Sequence, residues 1–372
     1  MSKNQLNVIL TGGTGTLGSQ IIFELLKQEN IKTIFLSVRQ KKGKSATSRI
    51  KTILESAAAP EFISKNKGTI LNKIKVLDMD AFFKPENFLS KTESNFFIHS
   101  AGSVNLSTDI SQKEIIYNGV FEFTKNVFDT FSSFITKFTY ISTAFSIGNI
   151  GGLIGNDYHS EKIPKYRNFY EEYKHLTERF LLKKGKEKNI DIQILRPSVL
   201  GGNIFKKSTY FVSNYMVYYL LGKFFYKNPL NDNSIRIAAN FKTGLNIIPV
   251  DYVAKVITSV FDKKIEQLNI VHSKSTNIVT GMSKIIKTVD FNNFTFLNSS
   301  SGGLLLEGKN RLESIYYNTI GLHLNQYLIS DPYEYDTTLL ESIVPIPKYN
   351  IEDYLEDTIR YAKARKFRGE KW

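Results

Sequence analysis

Residues 11–18 read TGGTGTLG and follow the apolar run Leu6, Asn7, Val8, Ile9, Leu10. A buried-type strand thus enters a glycine-rich turn and leaves it as the amphipathic stretch 17–27. This order suits a dinucleotide. Gly12 permits the tight turn, Gly15 lets the backbone approach a pyrophosphate, and Gly18 lets helix and strand pack closely. Thr14, Thr16 and Leu17 complete the loop, whose free N–H groups face the phosphates at the helix start. A P-loop does not fit: residues 13–18 have its spacing, but Ser19 stands where its lysine belongs.

Around this loop, strand and helix patterns alternate. Strands are expected at 6–10, 33–38, 73–77, 95–99, 137–142 and 190–195, with helices at 17–28, 46–59, 111–131 and 169–188. Short apolar strands between helices predict an α/β fold, a doubly wound Rossmann parallel sheet covered on both faces. The pattern changes after residue 200, where 203–240 is rich in aromatic residues and asparagine, and returns at 246–272. The expected division is a nucleotide domain, 1–202 with 241–272, and a smaller discontinuous C-terminal substrate lobe, 203–240 with 273–372.

The 372 residues include no cysteine, which excludes disulfides and cysteine nucleophiles and fits a cytoplasmic protein. The histidines lie far apart without ligand spacing, so no metal is expected. The first residues turn directly into strand, so no leader is expected. The formal net charge is +14, but the basic residues are spread out and no nucleic-acid motif is present, so nucleic acid is not an expected partner.

The end of the second strand selects the cofactor. An acid there binds a ribose hydroxyl, whereas a base accommodates a 2′-phosphate. The chain has Arg39, then Lys41, Lys42 and Lys44, with Arg49 beyond and no acid between. NADP(H) is therefore expected over NAD. By position, Asp78 and Met79 are expected at the adenine, and Ser100, Ala101 and Gly102 under the ribose.

Tyrosine with lysine four residues on places both on one helix face. The ammonium favours tyrosinate, drawing the tyrosine pKa toward neutrality, and can hold a ribose. The spacing occurs at Tyr158/Lys162, Tyr170/Lys174 and Tyr219/Lys223. Pro164 spoils a helix after the first, and the third falls in the aromatic segment. Tyr170 and Lys174 alone open a long amphipathic helix between the fifth and sixth strands. Ser142 and Thr143 end the fifth strand and can supply a hydroxyl.

This ordered set (TGGTGTLG, HSAG at 99–102, Ser142-Thr143, Tyr170/Lys174, Leu195-Arg196-Pro197-Ser198 and 248–254) resembles the extended short-chain dehydrogenases/reductases. The branch it is most similar to is the thioester reductases, fatty acyl-CoA reductases among them, over about residues 5–272. Residues 351–367 resemble the closing helix of such reductases. The resemblance implies NADPH-dependent reduction of an acyl thioester, on coenzyme A or a carrier protein, to the aldehyde and even to the alcohol. Thr143 and Tyr170 would bind the oxyanion, Tyr170 would supply the proton, and Lys174 would hold the ribose. Pro197, Ser198 and Val199 would also line the cofactor. The chain departs from the branch at Gly102, usually alanine, and at Glu122, usually threonine; Asn118 is retained. Ala144-Phe145 replaces the Asp-Glu pair of sugar-nucleotide dehydratases.

Two other readings stay open: a dehydrogenase of the same superfamily acting on an alcohol or ketone, and a cofactor-binding scaffold without turnover. The tyrosine-rich segment 208–226 fits buried core, a wall for an acyl chain, or peripheral membrane contact. Leu304, Leu305, Leu306, Tyr316 and Tyr317 read as core.

Overall fold

The computed structural model describes residues 5–157, 165–205, 209–228, 230, 233–299 and 307–372. Seven strands form the central sheet: β1 Leu6–Thr11, β2 Ile31–Ser37, β3 Ile74–Leu77, β4 Ser94–His99, β5 Lys137–Ile141, β6 Asp191–Pro197 and β7 Gln267–Ile270. Their spatial order is β7-β6-β5-β4-β1-β2-β3, and every pairing is parallel. The fold is the expected doubly wound α/β sheet. Its order reverses between β1 and β4, so a crevice opens beyond their carboxyl ends, where such sheets bind ligands.

Strand alternation explains the two covered faces. Val8 and Leu10 of β1 join a core with Ile21, Leu25 and Ile257. Ile9 points the other way, into a core with Phe97, Phe128, Phe138 and Leu181. Each such side chain, fully buried, stabilises the fold by on the order of 2 kcal/mol. The helices packed on these faces are α1 Thr16–Leu26, α2 Ala46–Leu54, α3, α4 Phe169–Lys188 and, further along, Val250–Val260. Helix α3 runs through Lys113–Tyr117, a π-helical turn Asn118–Glu122, and Phe123–Phe131. Asn168 caps α4 by accepting from the Glu171 N–H at 3.0 Å.

Helix α2 stops earlier than the periodicity predicts, at Leu54 rather than 59. Ser56 Oγ there donates to the Ile53 carbonyl at 2.7 Å, and Pro60 follows. Two short helices, Glu61–Lys65 and Lys67–Lys73, then lead to β3.

A third apolar core joins α5 Tyr218–Lys227, α6 Ile278–Thr288 and α7 Ile351–Ala364 through Tyr219, Phe225, Met282, Ile286, Leu355 and Ile359. Tyr316 is buried in it as well, with Tyr317 packed against it. Residues 304–306 lie outside the described residues. Among the described residues, no helix is long and apolar enough to cross a membrane.

Candidate functional site

A cleft of about 1290 Å³ opens at the carboxyl ends of the strands. Each sheet strand near the switch point delivers residues to it: the glycine loop after β1, Arg39 after β2, Ser100, Ala101 and Gly102 after β4, Ser142 and Thr143 after β5, and Pro197, Ser198 and Val199 at β6. Tyr170 and Lys174 reach it from α4, and Arg49 and Met79 from the far side of β2. The sequence-predicted residues therefore converge, Asp78 apart. Asp78 is not on the wall; its carboxylate accepts from the Ala81 N–H at 2.9 Å and caps a one-turn helix.

The loop has the shape of a phosphate cradle. Gly12 has φ +76°, and a Cβ there would sit 2.7 Å from the Ser100–Ala101 backbone. A Cβ on Gly18 would lie 2.1 Å from the Gly12 carbonyl oxygen. Neither position accepts a side chain, so the loop stays open to a ligand. Beneath it, His99 is held by Thr11 Oγ1 at 2.9 Å and Thr124 Oγ1 at 3.1 Å. Burial first, then the Lys174 charge, lowers its pKa to about 3, so this support is neutral.

Arg39 and Arg49 meet at the end of β2. Arg49 Nη1 donates to the Arg39 carbonyl at 2.7 Å, while its buried Nε has no hydrogen-bond partner among the described residues. Burial, then the Arg39 charge, lowers the Arg49 pKa. Two arginines at one strand end, one with an unsatisfied buried donor, suit an anion.

Lys174 Nζ donates to the Ile141 carbonyl at 2.8 Å and lies 4.5 Å from the centre of the Tyr140 ring and 5.8 Å from that of Tyr170. Burial lowers its pKa to about 8, against the opposing pull of Glu178. The expected drift of Tyr170 toward tyrosinate does not occur. Burial and the Glu171 charge push its phenol well above the ordinary range, and the ammonium is turned toward Ile141. Tyr170 is thus a protonated donor at neutral pH. Ser142 Oγ is committed to the Glu178 carboxylate, whereas Thr143 lines the cleft.

Helix α4 also carries two buried ion pairs. Arg196 Nε and Nη2 bind Glu178 Oε2 at 3.0 and 2.7 Å, and Ser146 Oγ donates to Oε1 at 2.8 Å. One turn from the other end, Arg167 Nη1 stands 3.6 Å from Glu171 Oε2. The Arg167 Nε and Nη1 have no hydrogen-bond partner among the described residues, and its guanidinium lies 5.1 Å from the centre of the Tyr327 ring. Tyr327, Phe145 and Tyr333 face the cleft.

Sequence reading named Asn118 only as a retained family position and 208–226 as a wall only among open alternatives, and missed the rest of the wall. Asn118 and Gly119 come from the π-helical turn of α3, a distortion frequent at functional sites. Leu106, Met216, Val217, Leu221, Leu245, Met282, Ile285 and Leu328 make the far end apolar. Val217 holds φ +52°, a strained conformation for a β-branched residue. Segment 209–226 is both core and wall: Tyr219 and Phe225 are buried, whereas Met216, Val217 and Tyr218 also face the cleft. Tyr219 stacks on Tyr218 at 4.1 Å and stays off the wall. Tyr158 and Lys162 lie outside the described residues. Finally, Trp372 Nε1 donates to the Thr14 carbonyl at 3.0 Å, and Ser213 Oγ lies 2.9 Å from Thr16 Oγ1. No local signal marks either residue.

A family model described as male sterility protein matches residues 10–257. A Drosophila melanogaster protein provisionally named fatty acyl-CoA reductase CG8303 is 24% identical over 318 residues, 73% of this chain and 55% of that protein. The chain therefore spans about half the length of that relative. Among solved structures, the terminal R domain of the myxalamid PKS-NRPS pathway superposes with TM-score 0.69 at 17% identity, covering 99% of this chain and 93% of that one. The aureusimine cluster reductase domain gives 0.65 at 16%, covering 98% and 92%. UDP-glucuronic acid 4-epimerase from Bacillus cereus, in complex with NAD, gives 0.62 at 15%, covering 96% and 98%. At these identities the structural likeness speaks for the fold.

Proposed function

Since the chain belongs to the male sterility protein family, the fatty acyl-CoA reductase-like branch of the extended short-chain dehydrogenases/reductases, we propose that it is an NADPH-dependent reductase of an acyl thioester, releasing the aldehyde and free thiol. The observation that carries this reading is the convergence of Thr143, Tyr170 and Lys174 on one cleft that has a glycine cradle at one end and an apolar wall at the other. The residues fit a dinucleotide: the cradle accepts no Cβ, and the Arg49 Nε awaits a partner. Loop residues 12–18 would hold the pyrophosphate, Arg39 and Arg49 the 2′-phosphate, and Lys174 the nicotinamide ribose. When bound, the cofactor supplies the hydride.

The chain's own residues then handle the oxygen. Thr143 and Tyr170 hydrogen-bond the thioester carbonyl and strengthen as negative charge develops there. Tyr170, kept protonated by its buried setting, gives that oxygen its proton, and the hemithioacetal so formed then collapses: its C–S bond breaks, the hydroxyl proton passes to the departing thiolate, and aldehyde and free thiol are left. Lys174, with its pKa lowered to about 8, holds its charge close enough to restore the phenol. The aliphatic wall excludes water and receives the acyl chain. A second round on the aldehyde gives the alcohol. The thiol carrier, coenzyme A or a carrier protein, is the partner in this reading.

The test follows NADPH absorbance and free thiol together over a panel of acyl thioesters. Thiol should appear in step with NADPH loss, and Tyr170→Phe should cut kcat by about a hundredfold or more. NADPH loss with a ketone, and no thiol from any thioester, would replace this reading with an alcohol or ketone dehydrogenase. Trp372, the one tryptophan in the sequence, should transfer excitation to bound NADPH and report binding independently of turnover.

A further inference from the structure

A second hollow, of about 520 Å³, lies outside the cleft and shares its wall. Helix α5 gives Tyr218 and Leu221 to the cleft, then Lys223, Tyr226 and Lys227 to the hollow. The segment after α7 does the same: Glu370 and Trp372 face the cleft, and Lys371 between them faces the hollow with Lys366 and Arg368. Five cations therefore surround one concavity, and no carboxylate is on its wall.

Their neighbours show that this is not ordinary surface charge. On α7 the preceding cations are matched: Arg360 binds Asp357 at 2.7 Å, and Lys363 binds Asp290 at 2.6 Å. None of the five has an ion pair among the described residues. The backbone is bent to assemble them. Lys366 and Phe367 take φ +52° and +51°, closed by the Phe367 N–H donating to the Ala362 carbonyl at 2.9 Å. Two successive non-glycine residues in the left-handed region are strained, a state that persists at sites where surroundings hold it. The floor is aromatic, with the Tyr226 and Phe367 rings 5.5 Å apart.

Cations around the half-buried Tyr226 ring, which Phe367 backs from below, meet the requirements of a phosphorylated nucleotide: charge-assisted hydrogen bonds for phosphates and a ring for the base. The cofactor does not account for them, since its phosphates belong to the glycine loop and to Arg39 and Arg49 on another wall. A lipid surface is matched less well, because the hollow is concave and Phe367 is only 3% exposed. We propose that this hollow binds the 3′-phosphorylated adenosine diphosphate end of a coenzyme A thioester while the acyl group occupies the cleft. The inference rests on the thioester reading above and selects coenzyme A as the thiol carrier.

The experiment has a binding arm and a kinetic arm. Adenosine 3′,5′-bisphosphate is titrated calorimetrically into protein saturated with NADP⁺, which fills the dinucleotide cleft. Wild type should bind it, and a Lys227→Glu/Arg368→Glu variant, both positions exposed, should bind about tenfold or more weakly. A Lys223→Ala variant repeats the measurement with a milder change. In the kinetic arm, the double variant should raise KM for acyl-CoA by a similar factor. The KM for the same acyl group on pantetheine, which has no nucleotide, should stay within about twofold, a shift worth less than a neutral hydrogen bond. Wild type that fails to bind the bisphosphate, or a variant that binds it equally, overturns the proposal. So does charge reversal that weakens only acyl carrier protein reduction or only sedimentation with anionic vesicles. Acyl-CoA reduction without bisphosphate binding removes the hollow and leaves the reductase. Bisphosphate binding with no thioester reduced removes the reductase reading and the acyl part of this one.

Discussion

The two buried ion pairs on α4 are built from the same residue types and have opposite characters. Glu178 and Arg196 are fully excluded from solvent, with bidentate contacts and further bonds from Arg196 to the Asn156 carbonyl at 2.7 Å and Gln267 at 2.6 Å. Arg167 and Glu171 are almost as buried but stand 3.6 Å apart, with arginine N–H groups left over. The first pair ties α4 to β5 through Ser142 and to β6 through Arg196, and so fixes the strand end that carries Thr143. The second lies behind the aromatic wall of the cleft, and burial pushes the Glu171 carboxyl above its ordinary range despite Arg167. Saturated partners make a staple, whereas an unsaturated pair marks where the packing gives way to the cavity.

Breaking the staple has the largest expected effect on stability. Arg196→Met should cost about 3–5 kcal/mol in chemical denaturation, because it strands a buried carboxylate. Arg167→Met should cost about 1–2 kcal/mol, since its partner is held less closely. Equal losses would erase the distinction between the pairs. Replacing both members of the staple, Glu178→Leu with Arg196→Met, should recover most of the single-variant loss, as apolar replacement of buried pairs often does. A double variant as unstable as Arg196→Met would mean that the Ser142 and Ser146 bonds to Glu178 matter more than its charge.

Lys174 lies between the two pairs and supplies the smallest effect. Its folded pKa of about 8 is below the ordinary 10.5, so the folded state disfavours its charge. The sign follows: this cost is fully present below about pH 8 and is relieved as pH rises toward 10.5, so stability from this group increases across that window. In the cofactor-free protein, carbon-13 resonances of Lys174 should titrate near 8. Lys174→Met should remove the corresponding rise in stability. A Lys174 resonance that titrates with the surface lysines would show that the site is wetter than its geometry.

What was legible in the sequence follows from the range of the constraint. Gly12 and Gly18 answer to backbone within a few residues or one strand away, and the alternating apolar runs specify β1 to β6 directly. The Tyr170/Lys174 spacing was legible for the same reason. Its electrostatics were misread, because spacing shows the ammonium one turn away and not the Ile141 carbonyl that captures it. Asp78 was read by position alone, and its carboxylate caps the next turn. Ser213 and Trp372 carry no local mark at all. Thr16 and Ser213 are 197 positions apart, and no window of sequence spans that.

The bond between the Thr14 carbonyl and the Trp372 indole joins positions 358 apart. During synthesis the glycine loop is made before the indole that closes against it, by 358 residues. The sheet can begin to form around a loop whose rim is still incomplete. Contacts of such long range form slowly. Completion of the nucleotide pocket therefore waits on residue 372, and nascent chains that stop short of it carry the fingerprint without the finished mouth.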